Sequence, residues 1–249
     1  MNDTVLVVSG LDPSAGAGMA ADIETINQFG VTPLPLVSAL TVQNTQSVTS
    51  TNVVEAQILS AQFEHLSLDV NVSAVKIGLL CSQAQVLALE KILETLKDKP
   101  VVLDPILSAS TGDVLNTAQT LKTLLPWVDV LTPNVGELAQ LAPEMSEAEA
   151  VASLPCTYVL LTTTDTSEAE IEHRLYTRGQ LTKCFYYPKL PGNYHGSGCT
   201  LSSAISALLA LGVEAPIAIG RALEYTYQSL LIAKTIGKMQ YHPNRQTPQ

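Results

Sequence analysis

Charge is scarce in this chain, and most of it has the wrong sign for holding a polyanion. Of 249 residues only 14% are Asp, Glu, Lys or Arg, against roughly a quarter in an average soluble protein. Lys and Arg number 13 against 23 Asp and Glu, a formal net charge of -10. Such a surface repels phosphate strands, so no nucleic-acid partner is expected. Cysteine is sparse too: Cys81, Cys156, Cys184 and Cys199 lie far apart, with no CxxC pair and no His-Cys cluster at zinc spacing. Neither a disulfide scaffold nor a structural metal knot is supported, and reduced thiols are expected. No run of about 18 apolar residues is present to span a bilayer. The opening Met1-Asn2-Asp3-Thr4 has no basic region, and the apolar stretch 5–8 is too short for a signal core. The expectation is a soluble, cytoplasmic protein with no membrane partner. The phosphate loop GxxxxGK[ST] is also missing, which excludes a P-loop nucleotide site.

What is present is apolar residue, 46% of the chain, enough for a large buried core and against general disorder. Short β-branched runs at 5–9, 34–39, 74–78, 101–104, 128–131 and 158–161 alternate with helical periods at 18–29, 54–67, 82–96, 117–125 and 135–141. That alternation predicts a mainly parallel sheet covered by helices. Residues 174–177 and 181–186, separated by Arg178-Gly179-Gln180, read as an appended hairpin. Two helices, 200–211 and 215–236, follow. The polar tail 241–249, with two prolines and no apolar period, is expected to fray. Repeats and linkers are absent, so residues 1–249 read as a single α/β domain.

The strongest local signal is His195-Gly196-Ser197-Gly198-Cys199-Thr200, running straight into an apolar helix. Glycines let consecutive amides converge, and a helix start adds about half a positive charge, a combination suited to an anion such as phosphate. Cys199 falls where a thiol pKa tends to drop, so its thiolate could act as base or nucleophile. Taken alone, a Gly-x-Gly-Cys is more often a turn beside a buried cysteine. A second glycine-rich loop, residues 10–18, follows the first strand and leads into a helix bearing Asp22. It fits a dinucleotide fingerprint poorly: several residues separate Ser9 from Gly16, and no acid lies between Glu24 and Glu55. Gln43, Lys76, Asp104, Asn134 and Glu137 sit at the ends of predicted strands, the side where open α/β sheets bind ligands. Any one alone is more often a cap or a solvated edge. An Asp and a Glu placed there could hold Mg²⁺ through water.

In that order the motifs resemble a known family. Residues 9–18 with Ala21-Asp22, then 39–45, look like the opening motifs of bacterial hydroxymethylpyrimidine/phosphomethylpyrimidine kinases of thiamine biosynthesis. Val75-Lys76-Ile77-Gly78-Leu79-Leu80, Val101-Val102-Leu103-Asp104-Pro105 with Ser110-Thr111-Gly112-Asp113, Leu131-Thr132-Pro133-Asn134 with Glu137, and residues 195–201 agree over nearly the whole chain. The resemblance implies a ribokinase-like three-layer α/β/α sandwich. It implies phosphoryl transfer from Mg-ATP to the hydroxymethyl group of an aminopyrimidine and then to its monophosphate. It places Gly10, Asp22, Gln43 and Leu79 around the pyrimidine, and Gly196, Ser197, Gly198 and Cys199 at an anion hole with the thiol as base. Asn134 and Thr162 fall to the nucleotide, Asp104 and Glu137 to the metal. Together with the low charge, it suggests a homodimer.

The nucleotide side departs from the family pattern. Where the family usually carries Lys-Gly-Gly-His, this chain has Thr162-Thr163-Thr164-Asp165. Losing a preorganised cation there could cost on the order of 10² to 10³ in rate. A basic residue usual after the Asp104 strand is missing, and the Gly/His-rich C-terminal segment shrinks to Tyr241-His242-Pro243-Asn244. Three functions therefore compete: an active pyrimidine kinase, favoured by Gln43 and Cys199; a pyrimidine binder without turnover; and a pyridoxal or pyridoxine kinase.

Overall fold

The computed structural model describes residues 3–107, 118–165, 169–238 and 240–246. Strands β1 (Thr4–Leu11), β2 (Thr32–Gln43), β3 (Val48–Val53), β4 (Ala74–Ile77), β5 (Val101–Leu103), β6 (Val130–Leu131), β7 (Tyr158–Asp165), β8 (Glu170–Thr177) and β9 (Gln180–Pro188) form one sheet. Their order is β3-β2-β1-β4-β5-β6-β7-β8-β9. From β2 to β7 in that order neighbours run parallel, and β3, β8 and β9 add antiparallel edges. Helices α1 (Gly18–Gln28), α2 (Ala56–Leu66), α3 (Gln83–Thr95), α4 (Ala118–Lys122), α5 (Val135–Leu141), α6 (Glu147–Ser153), α7 (Ser197–Ala210) and α8 (Ala215–Leu231) cover it. Among the described residues no helix is long and apolar enough to cross a membrane.

The period-2 alternation of each strand divides the core into two sides. On β1, Leu6 and Val8 point to one face and pack with Leu59 and Phe63 of α2, Leu89 of α3, Leu138 of α5 and Val151 of α6. Val5 and Val7 point to the other and meet Met19 and Ile26 of α1 and Ala207 of α7. Further along the same face Val102, Val130 and Leu160 lie under Leu201 and Leu208 of α7 and Ala222 of α8. The result is three layers, helix on sheet on helix. With both faces covered, each central Val, Leu or Ile contributes about 1.5–3 kcal/mol by burial, which is why these strands read as unbroken apolar runs.

Several boundaries differ from expectation. The edge strand β3 is polar and was not foreseen; Asn44 Oδ1 accepts from the Gln46 and Ser47 amides and turns the chain back onto β2. Helix α6 opens with a reciprocal capping box between Ser146 and Glu149. Helix α7 begins at Ser197, three residues before the expected start. Helix α8 stops at Leu231, well short of 236; Lys234–Thr235 (β10) then pairs antiparallel with Tyr241–His242 (β11).

The expectation of a frayed tail is overturned for residues 241–246. His242 and Arg245 are buried. The Tyr241 amide donates to Asn193 O and the Asn244 amide to Ser229 O, each at 2.9 Å. Backbone hydrogen bonds order this segment in place of an apolar period. Residues 247–249, the motif 110–113 and Thr117 at the expected α4 start lie outside the described residues.

Candidate active site

Much of the site hangs from the carboxyl ends of the parallel strands, and the segment 195–199 reaches it from beyond the antiparallel edge strand β9. The loop after β1 (residues 12–17) and the segment 195–199 leading into α7 touch backbone to backbone. Gly196 takes φ 83°, and a Cβ there would stand 2.0 Å from Gly16 O, so only glycine fits. The Thr200 amide bonds Gly196 O at 2.9 Å, and no side chain caps the helix. The amides of Ser197, Gly198 and Cys199 in the first turn therefore lack partners within α7 and carry the positive end of its dipole. On the other side Asp12 braces the junction: its carboxylate lies 2.8 Å from His195 Nε2 and accepts from the Ser14 amide at 2.8 Å and the Ala17 amide at 3.0 Å. Burial works against the Asp12 charge, but the bonds from His195 and Ser14 outweigh it and hold the carboxyl well below its usual range.

Two cavities meet at this helix start. The first, about 270 Å³, is lined by Gly10, Thr41, Gln43 and Leu79 on one side and Asp104, Asn134 and Glu137 on another, with Gly196, Ser197, Gly198 and Cys199 between. A Cβ on Gly10 would come within 2.9 Å of Leu79 Cδ2, so glycine there leaves the room. The second, about 320 Å³, is lined by Thr132, Thr162, Thr163, His173, Tyr187 and Tyr227 among others. Tyr194, Ser197 and Gly198 line both. Most of the residues expected at pyrimidine, anion hole and metal thus share one cavity; of the two expected at the nucleotide, Asn134 lines that same cavity and Thr162 its neighbour.

Asp22 is the exception and corrects the expected substrate contact. Its side chain has no exposed surface and does not line the cavity: Lys76 Nζ lies 2.9 Å from Oδ1, and Ser203 Oγ donates to Oδ1 at 2.7 Å. The turn of α1 that carries it faces the sheet, so the carboxylate is taken up by a fully buried ammonium. Burial alone would lower the Lys76 pKa; Asp22 first, then Cys199 and Asp104, reverse this and hold it above the ordinary value.

Cys199 corrects a second expectation. Burial pushes its thiol up to about 12; Lys76 pulls it down, while Asp104 and Asp22 push it further up. Desolvation outweighs the helix start, and Cys199 is a neutral thiol near neutral pH. The Asp104 carboxylate is close enough to act on the thiol, and Ser202 Oγ donates to that carboxylate at 3.3 Å. Asp104 is itself raised, by burial first, with Lys76 opposing and Asp22 adding.

Glu137 and Asn134 form the capping box that starts α5, each side chain accepting from the other's amide at 2.9 Å. Both still face the cavity, and burial followed by repulsion from Asp104 lifts Glu137 to about 8. Two mutually repelling carboxylates on one wall are hard oxygen donors that a divalent cation would relieve. Among the described residues no group of three or more His, Cys, Asp or Glu could hold a metal. A cation here would need water and ligand oxygens to complete its shell, the habit of Mg²⁺.

Sequence reasoning missed Asp12, His195, Tyr194 and Lys189 as lining residues. Asp12 and His195 stood inside the two quoted glycine-rich motifs, which was the available signal; nothing local marked Lys189, which brings positive charge to the second cavity. His173 beside it is neutral, its pKa pulled down to about 4 by burial against the opposing effect of Glu172.

A family model described as phosphomethylpyrimidine kinase matches residues 12–244. The hydroxymethylpyrimidine/phosphomethylpyrimidine kinase of Salmonella typhimurium is 34% identical over 217 residues, 82% of this chain and 81% of that protein. Among solved structures, the phosphomethylpyrimidine kinase of Clostridium difficile 630 superposes with a TM-score of 0.76 at 26% identity, covering 91% of this chain and 99% of that one. The pyridoxal kinase of Staphylococcus aureus superposes with a TM-score of 0.85 at 21% identity, over 98% and 94% of the two chains, a likeness of fold alone. The ribokinase-like sandwich implied by the motifs is the fold found, and the chain belongs to the phosphomethylpyrimidine kinase family.

Proposed function

We propose that this protein transfers the γ-phosphoryl group of ATP to the hydroxymethyl oxygen of 4-amino-5-hydroxymethyl-2-methylpyrimidine, and a second to the resulting monophosphate, in thiamine biosynthesis. One observation carries the reading: two cavities, each sized for a small heterocycle or a nucleotide portion, share the lining of one glycine-rich helix start. Phosphoryl transfer depends chiefly on in-line placement and charge stabilisation, and converging amides between two cavities supply both.

In the first cavity Gly10 and Leu79 flank a planar ring, and the Gln43 amide pairs with ring nitrogen or exocyclic amine. The amides of Ser197, Gly198 and Cys199 face the moving phosphoryl oxygens. The thiolate form of Cys199 takes the hydroxyl proton, and the raised pKa of the thiol makes that form a strong base in the small fraction ionised. Asp104 and Glu137 would hold Mg²⁺ through water, and the ion, when bound, would neutralise charge on the ATP phosphates. Thr162 and Lys189 border the nucleotide cavity. We further propose that the chain works as one domain, as a homodimer in the cytoplasm.

Incubation with Mg-ATP and the pyrimidine alcohol, followed by chromatographic separation of mono- and diphosphate, tests the reading. Both phosphates are expected. Tight pyrimidine binding by calorimetry with neither product would favour a binder without turnover, and faster turnover of pyridoxal would redirect the substrate.

A further inference from the structure

Residues 240–246 carry a buried cation, Arg245, that touches both glycine-rich segments. The Arg245 side chain is 2% exposed. Its Nε donates to Thr200 Oγ1 at 3.0 Å, Nη1 to Ala15 O at 3.2 Å and Glu24 Oε2 at 3.0 Å, and Nη2 to Gly16 O. Ala15 and Gly16 belong to the loop after β1, and Thr200 to the first turn of α7. Thr200 Oγ1 passes the connection on, donating to Gly196 O at 2.8 Å. The tail itself is anchored: Tyr225 Oη donates to Arg245 O at 2.7 Å, and the His195 amide to Tyr241 O at 2.9 Å.

We propose that Arg245 is a positioning residue for phosphoryl transfer, fixing Gly16 and Gly196 against each other so that the Ser197, Gly198 and Cys199 amides face the transferred group. The proposal rests on the kinase reading above. A planar fork of donors is required: the acceptors are backbone carbonyls at two sequence-distant places, a hydroxyl and a carboxylate, and an ammonium on a lysine stem cannot reach them together. The Ala15 carbonyl that the fork engages belongs to a residue held at φ 58°, a left-handed conformation that alanine rarely adopts unassisted. Asp12 and His195 brace one side of the junction, and Arg245 braces the side facing α8.

The test compares wild type with Arg245→Lys and Arg245→Ala by steady-state kinetics, each assayed well below its own melting temperature. Misplacing catalytic donors by about an ångström costs on the order of 10² in rate. A fall in kcat of about tenfold for Arg245→Lys and about a hundredfold for Arg245→Ala is therefore expected, with KM for the pyrimidine changed less than about threefold. Methylguanidinium in the assay should restore part of the kcat of Arg245→Ala and leave wild type unchanged. A wild-type kcat in Arg245→Ala overturns the proposal. So does a loss that tracks the folded fraction by circular dichroism and gains nothing from methylguanidinium. An inactive wild type would sink the kinase reading itself, a result separate from these.

Discussion

Lys76 Nζ lies 2.9 Å from Asp22 Oδ1, and neither side chain has any exposed surface. The pair sits beneath the site, with Asp104 and Cys199 close enough to act on the ammonium. Removing one partner strands the other's charge in the core, at a cost of about 3–5 kcal/mol. Asp22→Ala is accordingly expected to lower the melting temperature by about 10 °C, since a chain of this size loses roughly 2–4 °C per kcal/mol. The double variant Asp22→Leu with Lys76→Met should recover most of that loss. Thermal melting followed by circular dichroism decides it: an Asp22→Ala protein that melts like wild type but binds pyrimidine weakly would return Asp22 to the pocket wall.

The same residue shows where sequence reading stops. The period of α1 put Asp22 near the right loop, but depth is a tertiary quantity, and only the approach of β4 and α7 shows that its carboxylate points inward to Lys76 and Ser203. Cys199 failed for the same reason, because its helix-start position was legible while the desolvation that dominates its ionisation was not. The central strands were legible because burial on both faces leaves an apolar run. β3 was not, because an exposed edge strand of Thr, Ser and Asn is held by pairing with β2 and not by its own pattern. The tail was misread because contacts such as Arg245 to Gly16 span 229 residues.

A thiol whose pKa stands near 12 should react slowly with alkylating reagents at neutral pH. Below its pKa the thiolate fraction grows tenfold per pH unit. The rate of Cys199 modification by iodoacetamide, followed by peptide mass spectrometry, is therefore expected to climb steadily between pH 7 and 10 with no plateau. A plateau near 8 would show an activated thiolate. In the same protein Cys199→Ala should lose about 10² to 10⁴ in kcat, the usual range for a lost proton-transfer group. Cys199→Asp should keep more of it by taking the hydroxyl proton directly.

Glu137 offers a metal-linked readout. Its carboxyl is raised from 4.5 to about 8, so it is largely protonated at pH 7 and ionises as pH rises through 8. In the folded state the raised pKa contributes stability that is present below 4.5 and is lost as pH climbs toward 8. A bound cation needs the ionised form, so its affinity should move the opposite way and rise between pH 7 and 8.5. Mg²⁺ titrations of turnover at fixed ATP should show the half-saturating concentration falling severalfold across that interval. Glu137→Gln should need more Mg²⁺ and lose the extra pH dependence relative to wild type. An identical pH dependence in both proteins would remove Glu137 from the cation site.

Thr163 holds φ 57° at the irregularity in β7 between Leu161 and Thr164, a left-handed backbone on a β-branched residue. Such a conformation costs about 1–3 kcal/mol, and the substitution Thr163→Gly would release part of it at the expense of a looser unfolded chain. A net gain of about 1 kcal/mol, seen as a melting temperature raised by roughly 2–4 °C, is expected. The neighbouring Thr162 Oγ1 reaches Pro133 O at 3.3 Å, a neutral contact on the wall of the second cavity. Thr162→Lys would put a full charge there. If Lys189 leaves the nucleotide phosphates short of positive charge, Thr162→Lys combined with Thr163→Gly should raise kcat/KM for ATP by about tenfold or more. If Lys189 already supplies it, the double variant gains stability and no rate, and Lys189→Ala, not Thr162→Lys, moves KM for ATP. Steady-state kinetics on the three proteins separate the two outcomes, and a double variant that melts below wild type would show that the Thr163 backbone carries no strain.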